Sequence, residues 1–322
     1  MPSTPSLLVL ALSALVILVL PVHAKTPENC APDPYTDPRN DPCNVLKYIA
    51  SNVLTGIAFG LYLSVGLCHI FSTLKWGAKW MSAMTVGIFT FVIGLGCRFG
   101  LHSNPQSKGI YIAEDLFILL SPCAFIAADY VLLGRLARRL DKSNYLWVSP
   151  QKVTTVFVLS DVSTFLIQAA GGAISVVAND QKTNDLGSNV FLAGLVLQLA
   201  SFSVFTIMFL RFMQRIYTND PETWNRDATQ QKPWYRDWRT LAFALFVSCI
   251  GIIIRSVFRV VELSQGFTGA LATDEAAFYG LDTLPLFIAV AVYVPFWPGR
   301  FIPKEPIKDL GDDDHFEMDT MA

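Results

Sequence analysis

Charge is scarce in this chain of 322 residues: 16% are Asp, Glu, Lys or Arg, while 52% are apolar. Soluble domains carry about a quarter charged residues, so this balance, with its positive mean hydropathy, excludes an aqueous fold and leaves the bilayer as solvent. Histidine is scarcer still, with four copies. His23 falls in an amino-terminal apolar leader and His315 in an acidic tail, which leaves His69 and His102 on opposite sides of the bilayer. Those two cannot share one zinc ion, so an intramembrane metal hydrolase has no ligand set, and both read as interfacial residues. A Walker-type phosphate loop is also missing, which excludes transport driven by a nucleotide site in this chain. No catalytic residues, metal, cofactor or nucleic-acid partner are expected, and oligomeric state is not legible.

Long apolar runs are plentiful. Crossing about 30 Å of hydrocarbon at 1.5 Å per residue takes roughly 20 residues. Seven segments qualify, near 45–71, 80–101, 110–136, 152–178, 188–212, 239–262 and 276–297. The expected fold is therefore all-α, a polytopic seven-transmembrane-helix bundle over residues 45–300. Residues 7–20 form an apolar run too short to cross comfortably, and Val22-His23-Ala24 resembles a cleavage site, so residues 1–24 read as a signal peptide even though the leader lacks Lys and Arg.

Residues 25–44 then form a short extracytoplasmic segment, punctuated by Asp33-Pro34, Asp37-Pro38 and Asp41-Pro42 as turn chemistry. In an oxidising compartment Cys30 and Cys43 are expected to close a disulfide. Basic residues follow spans one, three, five and seven (Lys75, Lys79, Arg135, Arg138, Arg139, Arg215 and Arg300 among them), whereas the alternate loops hold only Lys108 and Lys182. Basic residues stay on the cytoplasmic side, so the amino terminus is expected outside and the carboxyl terminus inside. Trp76, Trp80, Trp147, Trp234, Trp238 and Trp297 fall at cytoplasmic span ends and are expected at the interface. The acidic tail, 301–322, is expected to be disordered. Entry by the secretory pathway points to the plasma membrane or an endomembrane.

Each charge at membrane depth costs at least about 2.5–3.5 kcal/mol on insertion scales, so every one needs a partner, a wet cavity or a route to the surface. Arg255, Arg259 and Glu262 stand at i, i+4 and i+7 on one face of span six, and Glu275, Tyr279 and Asp282 repeat that spacing in span seven. The two stripes are expected to pair. Arg98, at the outer end of span two, suits Glu114 or Asp115 of span three. Asp161 and Gln168 of span four, with no basic partner at their depth, are expected to line a polar cavity with Asp282, while Asp129 is expected to reach Arg135 or Arg138.

The run RSVFRVVELSQGFTGALATDEAAFYGLD, followed after the helix by WPGR, resembles the fungal lipid-translocating exporter family, also called the resistance-to-aminocholesterol family. The signature positions are Arg255, Arg259, Glu262, Gly266, Gly269, Glu275, Tyr279, Asp282, Pro298 and Gly299. The likeness extends through YIAEDLFILLSPCAFIAADYVLLGRL and VFVLSDVSTFLIQAAGG, though family members often carry His where Trp297 stands. The resemblance implies a membrane transporter of amphipathic lipids or lipid-like toxicants, such as sphingoid bases or sterol-like compounds, contributing to resistance. Its partners would be membrane lipids and an amphipathic small molecule. The alternative is a seven-helix receptor of a lipid-like ligand, but span three lacks a terminal Asp-Arg-Tyr and span seven lacks Asn-Pro-x-x-Tyr. Span seven also has no Lys for a retinal Schiff base.

Overall fold

The computed structural model describes residues 30–44, 46–178, 180–229, 237–266 and 269–302. The expected signal peptide, Trp234 and the acidic tail from 303 onward lie outside the described residues. Among the described residues the chain runs through α1 Asn52–Trp76, α2 Ser82–Ser103, α3 Lys108–Arg139, α4 Pro150–Val177, α5 Gln181–Asn219, the short α6 Pro221–Thr229, and α7 Trp238–Ser264. A broken helical path follows, made of α8 Glu275–Ala277, a π-turn Phe278–Thr283 and α9 Leu284–Ala291, and the last described element is α10 Pro298–Phe301. No strand occurs among the described residues.

Among the described residues six helices, α1 to α5 and α7, are long and apolar enough to cross a membrane. Their outward faces carry Val53, Ile57 and Leu74 of α1, Leu166 of α4 and Leu197 of α5, all exposed. Large apolar side chains in such number on the outer surface suit lipid rather than water. The chain is an all-α polytopic membrane protein.

Helix ends depart from the apolar windows because caps set them. Ser51 caps α1, so residues 45–51 precede the helix, and α1 runs on to Gly77, whose positive φ of 79° ends it. Asp180 caps α5 by accepting from Thr183 N–H at 3.0 Å, and the helix extends well past 188–212 at both ends. The segment expected as a seventh span, 276–297, is helical only to Ala291 and carries a π-turn beside Pro285. A π-turn adds a residue to a helical turn and shifts the phase of everything beyond it.

α3 is the central helix, buried along most of its apolar length. It packs on α2, α4 and α7, while α4 and α5 pack tightly on each other. At that pair Gly171 and Gly187 allow backbone contact: a Cβ on Gly171 would lie 2.4 Å from the Phe191 nitrogen.

Three expectations about side-chain surroundings are corrected. Trp238 and Trp297 stand at helix ends but are buried in protein rather than exposed there. Trp297 donates through Nε1 to Gly77 O at 3.1 Å, Arg300 lies over the Trp76 ring, and a Cβ at Gly299 would sit 2.7 Å from Trp76 O. The WPGR sequence is thus a clamp on the end of α1, and its Gly permits the close approach. His69 is buried too, because its Nε2 lies 3.1 Å from Val290 O and its ring stands edge-on to Trp297. Asp129 does not reach Arg135 or Arg138. It accepts from Ser248 Oγ at 2.7 Å and from Tyr293 Oη at 2.8 Å, since helix packing turns it toward α7 and the chain after α9, away from the surface.

Candidate functional site

Charged residues near the start of α3 and the end of α7 assemble around a cleft bounded by α2, α3, α5, α7 and the chain before α1. It holds about 70 Å³ of water-sized space, room for a few waters or one small charged group. Its polar lining is Tyr48, Arg98, Tyr111, Glu114, Asp115, Arg259 and Glu262, and its apolar wall includes Leu119, Phe191, Leu195 and Leu263.

Asp282 is the hub of one charge cluster. It is buried completely, and its Oδ1 accepts from Arg255 Nε at 2.7 Å and Arg259 Nε at 2.9 Å, while Oδ2 accepts from Arg259 Nη2 at 3.1 Å. Arg259 extends its Nη1 arm the other way, 3.2 Å from Glu262 Oε2 and 3.7 Å from Asp115 Oδ1. One guanidinium arm therefore serves two carboxyl groups. Asp115 keeps 32% of its side chain exposed, against 4% for Glu114, so Asp115 is the carboxyl most open to a ligand.

Arg98 organises the second cluster. Its Nη1 donates to Glu114 at 2.6 Å, Nη2 donates to Tyr48 Oη at 2.6 Å and lies 3.7 Å from Glu275, and Nε donates to Tyr279 Oη at 3.1 Å. The guanidinium plane also lies over the Phe278 ring, 4.1 Å from its centroid. Glu275 in turn accepts from the Ser51 N–H at 2.7 Å, which ties the start of α1 to α8. The expected pairing of the two stripes thus holds for Asp282 alone. Glu275 and Tyr279 lie before or early in the π-turn and face Arg98, whereas Asp282 lies late in it and faces α7.

Three guanidinium groups, of Arg98, Arg255 and Arg259, meet five carboxyl groups, of Glu114, Asp115, Glu262, Glu275 and Asp282. An environment with more acids than bases complements a cation.

The segment 30–44 precedes the cleft-lining Leu46 and Tyr48 and packs against the end of α2. Cys30 and Cys43 are bonded. Asp41 accepts from Gln106 Nε2 at 2.8 Å and from the Cys43 N–H at 2.9 Å, and Tyr35 Oη donates toward the carbonyls of His102 and Ser103. Burial tends to raise the Asp41 pKa, but the donors of Gln106, Cys43 and Ala31 and the charge of Lys47 outweigh it and hold the carboxyl below its ordinary value. Burial pushes the Tyr48 hydroxyl up to about 12 against the pull of Arg98, so the phenol keeps its proton as a donor beside the cleft.

Tyr48 and Tyr111 had no signal in the sequence beyond being aromatic in apolar surroundings. Asp161 and Gln168 lie outside the cleft lining, deeper between α3, α4 and α5. No group of three or more His, Cys, Asp or Glu able to hold a metal occurs among the described residues.

A family model described as RTA1 like protein matches residues 84–305. Protein RTA1 of Saccharomyces cerevisiae is 31% identical over 212 residues, 66% of this chain and 63% of that protein. Protoporphyrin uptake protein 1 of the same yeast is 30% identical over 191 residues, 59% of each chain. The sphingoid long-chain base transporter RSB1, also from Saccharomyces cerevisiae, is 25% identical over 275 residues, 77% of this chain and 71% of that protein. The chain thus spans about three-fifths of the length of Protein RTA1 and of protoporphyrin uptake protein 1. No solved structure matches it.

Proposed function

This chain belongs to the RTA1-like family, and from that premise we propose that it translocates amphipathic molecules with a cationic headgroup, long-chain amines of the sphingoid type first among them. The observation that carries this reading is the sharing of the single Arg259 Nη1 arm by Asp115 and Glu262 at the cleft. An ammonium group entering there would supply the second counter-charge. Leu119, Phe191, Leu195 and Leu263 give the attached chain an apolar wall, so the headgroup stays in a polar site while the tail stays in an oily one. The names of two relatives, a sphingoid long-chain base transporter and a protoporphyrin uptake protein, support transport over catalysis.

In this reading the path Glu275–Ala291 makes a seventh crossing, the cleft opens on the outer side and the tail is cytoplasmic. The Cys30–Cys43 bond supports that orientation, because disulfides persist in oxidising compartments.

The test is transfer of a fluorescent sphingoid base across liposomes containing the purified protein. The double variant Asp115→Asn, Glu262→Gln removes both charges with little change in volume. Losing one charge-assisted hydrogen bond of about 1.5–3 kcal/mol slows transfer by about tenfold or more. Transfer at the wild-type rate, by a protein that remains folded by circular dichroism, would eliminate the amine reading.

A further inference from the structure

Below the cleft a second set of polar groups continues inward between α3, α4 and α5. Cys123 stands one turn inward from Leu119 on α3, and Gln198 one turn inward from Leu195 on α5. Gln198 Nε2 donates to Cys123 Sγ at 3.3 Å, and its Oε1 accepts from Gln168 Nε2 at 2.8 Å. Further in, Asp161 Oδ2 accepts from Tyr130 Oη at 2.8 Å. Asp161 is 3% exposed, and its Oδ1 has no hydrogen-bond partner among the described residues.

Asp129 is the useful contrast. It is as deeply buried, but each of its oxygens has a hydroxyl donor, from Ser248 or Tyr293, so its site is complete. Asp161 Oδ1 has no such bond of ordinary geometry, although the Ser201 hydroxyl of α5 also acts on this carboxyl, and none of the described ion pairs of the membrane interior reaches it. The titratable groups that face it are on α3, namely Tyr130 and, further out, Cys123. α5 presents the Ser201 hydroxyl, and Arg255 of α7 acts on Cys123 and is paired with Asp282.

We propose that Asp161 is a proton-binding site, with Oδ1 as the oxygen that takes and releases the proton. A proton removes the charge from a carboxyl that has no counter-ion at membrane depth, and only the O–H bond forms or breaks. A metal cation fits the site poorly. The nearest other unpartnered acceptor on α4 is Gln168 Oε1, seven residues along the helix, and that spacing separates the two by about 10 Å, too far to share one ion. Exchange of this proton gives a transporter with no nucleotide site a means of coupling to a pH gradient. The assignment itself does not depend on which molecule is carried.

Infrared difference spectra between acid and alkaline buffer, taken on the full chain in liposomes, test the proposal directly. A protonated-carboxyl C=O band should titrate in the wild type, vanish in Asp161→Asn and persist in Asp129→Asn. Tyr130→Phe removes the donor on Oδ2 and should move the midpoint of that band. A band that survives Asp161→Asn, or a midpoint unmoved by Tyr130→Phe, overturns the assignment, and so does a band that appears only with sodium in the buffer. As a second arm, sphingoid-base transfer should respond to an imposed pH gradient in the wild type and not in Asp161→Asn. If the wild type moves no sphingoid base, the amine reading fails, and the infrared result still decides for or against the proton site.

Discussion

Arg255 donates through Nη2 to the carbonyl oxygen of Ile118, 3.0 Å away. In an unbroken helix that oxygen would receive the N–H of residue 122, but residue 122 is proline and has none. A freed carbonyl at membrane depth must find another donor, and the guanidinium from α7 supplies it while its Nε holds Asp282. Arg255 is therefore bivalent. A lysine ammonium in its place could satisfy Asp282 or Ile118 but not both in this geometry, so Arg255→Lys should lower stability by about 1–3 kcal/mol, the cost of an unsatisfied buried polar group. Pro122→Ala returns an N–H to Ile118 and should recover part of that loss in the Arg255→Lys background. Unfolding of the single and double variants in mixed detergent gives the coupling, and strictly additive effects would refute the link.

Asp282 and Glu262 should separate in their effects, although both belong to the same motif. Asp282 neutralises two arginines from a fully buried position, so Asp282→Asn leaves buried positive charge and costs about 3–5 kcal/mol. The expected outcome is a strong fall in surface abundance. Glu262 sits at the rim with 16% of its side chain exposed. Glu262→Gln should leave abundance within about twofold, because substitutions at such partly exposed sites shift stability little, while reducing transfer of a cationic lipid. Quantitative surface labelling alongside efflux measurements checks both halves. Equal abundance for the two variants would mean that Asp282 is not the hub described above.

Much of this arrangement was legible in the sequence, and the reasons for the remainder are physical. Charges in a hydrocarbon window are costly enough to reveal themselves, so Arg98, Arg255, Arg259, Glu114 and Asp282 stood out as residues in need of partners. Their partners were only partly predictable, because helical spacing assumes one phase and the π-turn at Phe278–Thr283 changes it, sending Glu275 to Arg98 and Asp282 to α7. Asp129 was misassigned because sequence proximity favoured Arg135 and Arg138, whereas tertiary packing supplied the uncharged hydroxyls of Ser248 and Tyr293. Hydroxyls carry no charge and leave no mark in a hydropathy profile. Pro122 was visible throughout, and a rule that asks where the carbonyl four residues earlier goes would have pointed to a donor from another helix.

The disulfide-bonded segment 30–44 should loosen in acid. The folded-state pKa of Asp41 lies below its ordinary value of about 3.9, so the stabilisation is fully present above that value and is lost as pH falls through the folded one. Hydrogen exchange at the amides of Ala31 and Cys43, both donors to Asp41, reads this directly. After correction for the intrinsic pH dependence of exchange, protection should be constant from about pH 5 to 7 and should decline below about pH 4, where unfolded-state aspartates bind protons. Asp41→Asn should show low protection at every pH. Protection that persists unchanged to about pH 2, beyond the ordinary carboxylate range, would mean that the disulfide alone holds the segment in place.

Neighbouring glycines on α4 provide a matched pair for the closeness of α4 and α5. A Cβ on Gly171 would stand 2.4 Å from the Phe191 nitrogen and 2.8 Å from Gly187 O, both backbone atoms that cannot swing aside. On Gly172 the nearest atoms would be ring carbons of Phe191 at 3.6 and 3.7 Å, which is ordinary contact. Alanine has the same intrinsic helix preference at either site, favouring the helix by about 1 kcal/mol over glycine, so propensity cannot separate the two variants. Only the neighbour can. Gly172→Ala should be neutral or slightly stabilising, while Gly171→Ala must push α5 outward and should cost about 1–3 kcal/mol, as overpacking in a tight interior does. Phe191 also lines the cleft, so the same displacement should widen its apolar wall and change transfer of long-chain amines in Gly171→Ala alone. Thermal unfolding in detergent and liposome transfer, run on both variants, test the two consequences together. If Gly171→Ala and Gly172→Ala behave alike in both assays, α4 and α5 are not in backbone contact at this depth, and the outer wall of the cleft is not set by that contact.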